Sequence, residues 1–312
     1  MRVLFAGSPA IALPSLEAVY RQDGIELAGV LTNSDSPKGR HGTPEPTDIA
    51  KAAQKMSIPV LKPEKLDAAA REQAASLKSD ILVSFAYGHI FGPKFLALFP
   101  LGGINIHPSL LPKYRGPSPI QAAILNRDAV TGITVQTLAP EMDQGDILAA
   151  EKIELSGRET SGSLGELAAQ KAAQMLIDVL MKIKDGTVTK TAQNHEEACY
   201  CTLISRDDGI VDWSLSAAQI EAKIRAFDPW PLCRTIHKGR ELYILKADIF
   251  KGQIQEKTCG QVLGIDKENG ILIQTGDGIL SVTRLQYQAK KALVWRDFLN
   301  GARDFIGSQL GN

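Results

Sequence analysis

The stretch GGINIHPSLLPKYRG, residues 102–116, is the part of the sequence that indicates the fold most clearly, because it predicts a buried strand that carries two polar residues. Ile104 and Ile106 are β-branched residues in a short apolar run, which is typical of a buried strand, and the proline that follows cannot continue a central strand. Asn105 and His107 stand two residues apart, so they point to the same face of that strand. Because open α/β sheets bind ligands beyond the carboxyl ends of their strands, this pair predicts a polar site. Taken alone, the pair is more typical of a turn cap and a hydrogen-bonded core histidine.

Strand-like and helix-like patterns alternate on both sides of this stretch. Apolar runs predict strands at 2–7, 25–33, 80–86 and 131–140, and helical spacing predicts helices from Ser8 onward and at 47–56, 63–78 and 117–128. This alternation is typical of a doubly wound, Rossmann-like α/β domain with a mostly parallel sheet. Neither G-x-G-x-x-G nor the P-loop pattern G-x-x-x-x-G-K-[ST] occurs in the sequence, so a dinucleotide-binding or P-loop protein is not favoured.

The last third of the chain has a different pattern. The stretch DWSLSAAQIEAKIRAFDPWP, residues 212–231, predicts a helix with a capping box from Ser216 to Gln219. Short alternating runs separated by glycines follow it, and they predict a small β-barrel of the oligonucleotide-binding type. We therefore expect a catalytic domain at 1–188, a linker at 189–205 and a C-terminal β-barrel domain at 206–312.

Composition excludes several classes of protein. The chain has 312 residues, of which 44% are hydrophobic, and 35 Lys and Arg balance 35 Asp and Glu, so it is not a strongly basic nucleic-acid binder. A local basic patch remains compatible with RNA binding. No apolar run approaches the ~20 residues of a membrane span, and the opening MRVLFAG predicts a strand rather than a signal peptide. Four cysteines without paired metal-ligand spacing indicate reduced thiols, no metal site and a cytoplasmic protein.

Three polar loops follow predicted strands. The loop SDSPKGRHGTPEP, residues 34–46, carries Lys38 and Arg40, which are compatible with a solvated surface loop and with phosphate contacts. The segment 87–93 combines glycines with aromatic rings that could flank a flat ligand. Asp143 lies in an acidic segment at 141–146, where carboxylates commonly form turns.

Asn105, His107 and Asp143 each follow a strand of the predicted parallel sheet, so we expect them to meet at one edge. Together they supply an amide donor, an imidazole and a carboxylate. This set can stabilise a tetrahedral oxyanion and move protons without a covalent nucleophile or a metal.

Two of these segments resemble a known family. NIHPSLLPKYRG followed by APEMDQGDIL is similar to the signature of the formyltransferases that use 10-formyltetrahydrofolate. FAGSP, FAYGHI, DWSLSAAQIEAKIRAFDPWP, TGDGIL and LQYQAKKALVWRDFLNG resemble the branch of that family that acts on Met-tRNA, so the resemblance covers nearly the whole chain.

The resemblance implies transfer of a formyl group from 10-formyltetrahydrofolate to the α-amine of methionine on initiator Met-tRNA. Asn105 and His107 would stabilise the oxyanion, and Asp143 would relay a proton through a water molecule. The implied folate-site residues are Ser109, Leu110, Leu111 and Pro112, with Phe85, Ala86, Tyr87, Gly88, His89 and Ile90 on the pterin side. The implied tRNA contacts are Lys38, Arg40, Lys290 and Lys291.

The sequence departs from the family pattern at two positions. Gly39-Arg40 is followed by His41-Gly42-Thr43 instead of a lysine pair, so this loop is less basic. Ala289 stands where the family tends to have glycine before the late lysine pair.

Three other functions share part of these features. A sugar-nucleotide amine formyltransferase would have the same catalytic set, but TGDGIL and LQYQAKKAL favour the tRNA branch. A hydrolase that deformylates the same folate would not need the barrel. A non-catalytic RNA-binding protein would have no need of all three residues, Asn105, His107 and Asp143.

Overall fold

The computed structural model describes residues 1–37, 42–252 and 257–311. The chain packs as two units. The first consists of Met1–Pro119, Val130–Glu154 and Gly165–Thr202, and the second of Ile120–Ala129, Leu155–Leu164 and Leu203–Asn312. The second unit therefore takes in two short stretches that the sequence-based boundary at residue 188 assigned to the first domain.

A seven-stranded sheet forms the centre of the first unit, with the strand order β5-β2-β1-β6-β7-β8-β9. The pairs β2–β5, β1–β2, β1–β6 and β6–β7 are parallel, whereas β7–β8 and β8–β9 are antiparallel. The mostly parallel sheet is thus confirmed, and two antiparallel strands extend one edge of it. The strands are β1 (Arg2–Ala6), β2 (Glu26–Leu31), β3 (Ser36–Pro37), β4 (Pro44–Glu45), β5 (Val60–Leu61), β6 (Ile81–Ser84), β7 (Gly103–His107), β8 (Val130–Thr137) and β9 (Ile147–Glu154), of which β3 and β4 form a separate pair.

Four of the helices described in the first two-thirds of the chain lie where the sequence predicts helices, with shorter ends, and two further helices begin at Pro93 and Ser161. Thr47 and Asp67 cap the second and third of them, because their side chains accept the N–H of Ala50 and Ala70, each at 3.1 Å. The helices are α1 (Leu13–Arg21), α2 (Asp48–Lys55), α3 (Ala68–Ser76), α4 (Pro93–Leu96), α5 (Pro119–Leu125) and α6 (Ser161–Lys184).

A row of aromatic rings anchors the segment that leaves β6. Tyr87, Phe91, Phe95 and Phe99 stand with neighbouring ring centroids 5.4, 5.4 and 5.9 Å apart. All four are buried in one cluster with residues of β1, β2 and β6. Offset and tilted rings at these separations pack favourably, so the row fixes the path of the chain after β6.

The second unit is built on an antiparallel sheet with the order β10-β11-β14-β13-β12, and β15 pairs with β14. The segment 307–311 links its edge strands: Val262 donates to Ser308 O at 2.9 Å, and Gly311 donates to Ile236 O at 3.0 Å. This antiparallel arrangement is consistent with the predicted small barrel, and the capping box from Ser216 to Gln219 is confirmed. The elements are α7 (Ala217–Ala226), β10 (Cys233–His237), β11 (Arg240–Phe250), β12 (Val262–Asp266), β13 (Gly270–Gln274), β14 (Ile279–Tyr287), β15 (Leu293–Val294) and α8 (Trp295–Gly301).

Within the described parts of the chain, no helix has the length and apolarity needed to cross a membrane. The same residues contain no group of three or more His, Cys, Asp or Glu side chains placed to hold a metal ion.

Candidate active site

Strand β7 presents Asn105 and His107 at its carboxyl end. Asn105 pairs with Ser84 of the parallel strand β6 and with Gln136 of the antiparallel strand β8. His107 is buried, and Asn105 is partly exposed. The strand therefore brings an amide and an imidazole to one face, as the sequence predicted, and the pairing with Ser84 places Asn105 beside the start of the segment that follows β6.

Asp143 reaches this face by a route that the sequence did not predict. Since β8 runs antiparallel to β7, its end lies beside the beginning of β7, and the expectation that Asp143 follows a parallel strand is wrong. The connection folds back along the sheet, held by Thr137 N–H donating to Asp146 O at 2.9 Å. Asp143 adopts a left-handed φ of 56°. A Cβ on Gly145 would lie 1.7 Å from Thr137 O, so only glycine fits at this close approach.

The carboxylate of Asp143 accepts hydrogen bonds from neighbouring segments. Gly116 N–H donates to Oδ2 at 2.8 Å, and Gln136 Nε2 donates to Oδ1 at 2.9 Å. Asn105 Nδ2 lies 3.5 Å from Oδ1, which is a weak contact. The two short bonds fix the carboxylate, whereas the amide of Asn105 is held loosely and remains able to donate elsewhere.

The surroundings of His107 assign its tautomer. Nε2 lies 2.8 Å from the carbonyl oxygen of Tyr114, and since that oxygen can only accept, Nε2 carries the proton. Nδ1 lies 3.5 Å from Asp143 Oδ2. Burial lowers the pKa of His107 below its usual 6.5, and the carboxylate of Asp143 and the carbonyl of Tyr114 oppose that shift. The imidazole is therefore neutral at pH 7, with its basic nitrogen facing Asp143.

The ring of His107 is expected to titrate with a midpoint below 6.5. In the Asp143→Asn protein the midpoint should fall further, because the carboxylate that favours the imidazolium is gone. The unfolded chain takes up this proton near pH 6.5, so the folded protein should lose stability from this group as the pH falls below that value. Ring nitrogen and proton shifts measured by NMR across pH 4–9, with His107→Gln used for assignment, test this. A midpoint above 6.5, or a rise in the Asp143→Asn protein, would contradict it.

The predicted pterin-side segment leaves the sheet next to Asn105, since Ser84 and Asn105 are paired. It divides into core and surface residues. Phe85 and Tyr87 are buried, and burial raises the pKa of Tyr87 to about 12. The exposed residues are Ala86 and Gly88, both with left-handed φ, His89, which contacts Asn33 Oδ1 at 3.0 Å, and Ile90.

The predicted folate-site segment after β7 is pinned to β8. Thr134 Oγ1 donates to Ser109 O at 2.7 Å and accepts Leu111 N–H at 3.1 Å. Ser109 is buried, and its hydroxyl donates to Lys113 O at 2.5 Å. Its polar group thus shapes the loop. The partly exposed residues of the segment are Leu110 and Pro112.

Sequence reasoning missed three residues of the site. Gln136 contacts Asp143 directly, and the side chains of Arg115 and Gln193 form a buried cluster behind it. The cross-strand pairing of Gln136 with Asn105 follows only from the register of an antiparallel neighbour. Gln193 falls in the predicted linker, where no motif indicated a functional residue. Arg115 is part of the family signature, but the resemblance assigned it no role.

The predicted tRNA contacts lie apart from this cluster in the sequence. Lys38 and Arg40 fall outside the described residues. Lys290 and Lys291 are exposed after β14, and Ala289 before them has a φ of 60°. That left-handed backbone explains why glycine suits this position.

Ala289→Gly is expected to raise the free energy of unfolding by about 0.5–1 kcal/mol, because it relieves a left-handed residue that carries a Cβ. Ala292→Gly, three residues on and without a positive φ, is the matched control and should destabilise the protein by a similar amount. Urea unfolding of both variants measures the two changes, and a loss of stability in Ala289→Gly would refute the strain argument.

Comparison with known proteins identifies what the chain is similar to. A formyl transferase family model matches residues 1–180, and a model of the formyl transferase C-terminal domain matches residues 203–303. The methionyl-tRNA formyltransferase of Treponema denticola is 47% identical over 318 residues, which cover 98% of each chain. That of Roseiflexus castenholzii is 40% identical over 312 residues, 100% of this chain and 99% of the other.

Two solved structures share the fold. The sugar 3N-formyl transferase WlaRD, crystallised with dTDP and 5-N-formyl-THF, superimposes with a TM-score of 0.66 at 19% identity, covering 93% of this chain and 99% of that one. HypX from Aquifex aeolicus in complex with tetrahydrofolic acid gives a TM-score of 0.64 at 17% identity, with 98% of this chain covered. The chain spans about half the length of HypX, 48% of it.

Proposed function

This chain belongs to the formyltransferase family, whose two domain models it matches, and from that premise we propose that it transfers a formyl group from 10-formyltetrahydrofolate to the α-amine of methionine on initiator Met-tRNA. The observation that carries this proposal is the 47% identity to a methionyl-tRNA formyltransferase over 98% of both chains. The identity extends through the second unit. Formyltransferases that act on other acceptors are under less constraint to share the sequence of that unit.

The formyl donor is a substrate, and it supplies the carbon that the amine attacks. Two of the residues proposed to hold it support contact with a flat folate ring. Gly88 has a left-handed φ and open space where a Cβ would stand, and Ile90 offers an exposed apolar side chain beside it. Both follow Ser84, the cross-strand partner of Asn105, so a ring bound here would place its formyl group near the amide.

Asn105 is the proposed donor to the oxyanion. Among the described residues its Nδ2 has only the 3.5 Å contact to Asp143, so the amide can turn to the developing charge at little cost. The resemblance gave His107 the same role, but its N–H is already donated to Tyr114 O at 2.8 Å. The geometry therefore supports a different role for His107, with its basic Nδ1 and the Asp143 carboxylate handling the proton that passes from the attacking amine to the leaving nitrogen.

Binding of the tRNA completes the proposal. Lys290 and Lys291 are exposed and can contact phosphates, as Lys38 and Arg40 are proposed to do in the 34–46 loop. A cytoplasmic location is part of the same proposal and is supported by the free state of all four cysteines.

A sugar-nucleotide amine is the second acceptor to consider, because WlaRD has the same fold. At 19% identity that likeness concerns the fold alone and says nothing of the acceptor. Hydrolysis of the formyl donor is the third possible reaction, since the proposed residues would stabilise attack on the formyl carbon by water as well as by an amine.

The test is transfer of a labelled formyl group from 10-formyltetrahydrofolate to parallel acceptors: initiator Met-tRNA, a sugar-nucleotide amine and water. Uncharged initiator tRNA is the matched control, because it has the same phosphates but no α-amine. Label on Met-tRNA alone is expected. Label on the sugar, or released as formate with no product on Met-tRNA, would overturn the proposed acceptor and leave the chemistry of the site in place.

A further inference from the structure

We propose that Gln193 is a positioning residue that holds Asp143 in its reactive place, with Arg115 fixing the orientation of its amide; as a role in formyl transfer, this rests on the proposed function. The two residues lie 78 positions apart in the sequence and meet in a buried cluster behind the Asp143 carboxylate. Neither is expected to touch a substrate.

The amide nitrogen of Gln193 donates to two backbone carbonyl groups of the turn that carries Asp143. Nε2 donates to Asp143 O at 2.9 Å and to Gly145 O at 2.7 Å. It also lies 3.2 Å from Oε1 of Gln136, whose own amide donates to the Asp143 carboxylate at 2.9 Å. Gln193 thus secures the main chain of Asp143 and, through Gln136, its side chain.

Arg115 determines which way this amide points. Its guanidinium donates twice to Gln193 Oε1, from Nε at 3.1 Å and from Nη2 at 2.7 Å. Since arginine can only donate, the oxygen of the amide must face it and the nitrogen must face the turn. Arg115 is itself 1% exposed and is held by Tyr200 Oη and His195 Nδ1, each at 3.1 Å.

The turn needs this external support. Asp143 occupies a left-handed backbone conformation that an aspartate does not favour over extended alternatives. The side chain of the next residue, Gln144, donates to Tyr200 Oη at 3.1 Å. The backbone of Gly145 lies so close to Thr137 O that no side chain would fit there. The bonds from Gln193 compensate for the strained conformation, and their loss should let Asp143 move away from Gly116 N–H. A displacement of about 1 Å at a reacting group can cost about 100-fold in rate.

Gln193→Glu separates positioning from folding. A carboxylate keeps the acceptor that Arg115 needs and adds an ion pair, which offsets part of the repulsion from the turn, so the protein should still fold cooperatively with a lower thermal midpoint. It has no N–H to offer, and its second oxygen would face the carbonyls of Asp143 and Gly145. We expect kcat for formyl transfer to fall about 10- to 100-fold, with KM for Met-tRNA and for the folate within about twofold.

Gln193→Asn is the second variant. It is neutral and keeps the amide, but it is one methylene shorter and cannot hold Arg115 and both carbonyls together. It should also lower kcat, which separates lost positioning from the added charge of the glutamate, and it serves if the glutamate variant does not fold. Gln174→Glu and Gln174→Asn on α6 are the matched controls, since this exposed amide contacts only Asp178 among the described residues, and both should behave as the unmodified protein.

Crystal structures of the unmodified and Gln193→Glu proteins supply a measurement that does not depend on activity. The distance from Asp143 Oδ2 to Gly116 N, 2.8 Å in this structure, should increase by about 1 Å. Unchanged kcat in both Gln193 variants, or an unmoved Asp143, would overturn the positioning role. Failure of the unmodified protein to formylate Met-tRNA would overturn the proposed function instead, and the crystal structures would still decide whether Gln193 holds Asp143.

Discussion

Asp143→Asn is expected to lower kcat for formyl transfer about 100- to 10,000-fold, the range over which a positioned acid–base group contributes. The dissociation constant for Met-tRNA should stay within about twofold, because the carboxylate is partly buried behind the turn and accepts its hydrogen bonds from the protein itself. Single-turnover transfer rates and filter binding of the tRNA measure the two quantities separately.

The size of this effect follows from what the carboxylate touches. Gly116 N–H and Gln136 Nε2 both donate to it, so both of its oxygens are used as acceptors. An asparagine would place an NH₂ group against one of these donors and would turn the side chain. It would also remove the negative charge beside Nδ1 of His107, which stabilises the proton during transfer.

Glu141→Gln is the matched control, because it neutralises an exposed carboxylate in the same connection between β8 and β9. It should leave kcat unchanged. If Asp143→Asn instead weakened tRNA binding in proportion to the lost activity, the assignment of Asp143 to proton transfer would be wrong.

Asn105→Ala is expected to reduce kcat about 100- to 1,000-fold, the usual effect of removing one donor from an oxyanion site. The neighbouring donors cannot take its place, since the N–H of His107 is committed to Tyr114 O at 2.8 Å and that of Gly116 to Asp143 at 2.8 Å. KM for the folate should change little, because the oxyanion exists only after the amine has attacked.

Asn105→Asp provides a second test of the same role. It keeps the size of the side chain but replaces the donor with an acceptor about 3.5 Å from the Asp143 carboxylate, so it should be at least as slow as the alanine variant. Asn126→Ala, which removes an exposed amide bound only to Ala122 O among the described residues, should retain full activity. An alanine variant at position 105 with normal kcat and a raised KM would show that Asn105 binds the donor instead.

Local patterns carried much of the fold prediction. The strand Gly103–His107 and its neighbours are apolar runs whose period decides which side chains share a face, and Asn105 and His107 share one because they are two residues apart. The capping box at Ser216 likewise depends on residues only three positions away. Such features are set by backbone geometry over one or two turns, so a single sequence is sufficient to predict them.

The sequence by itself thus determined the parallel strands, the shared face of Asn105 and His107, and the resemblance that linked them to Asp143. Only the tertiary structure decided that β8 runs antiparallel, that the turn carrying Asp143 folds back along the sheet, and that Gln193 arrives from 50 residues away to hold it. These outcomes depend on hydrogen bonds between segments far apart in the chain. Their partners are chosen by how the whole unit packs, since a buried amide or guanidinium must find donors and acceptors wherever the fold provides them.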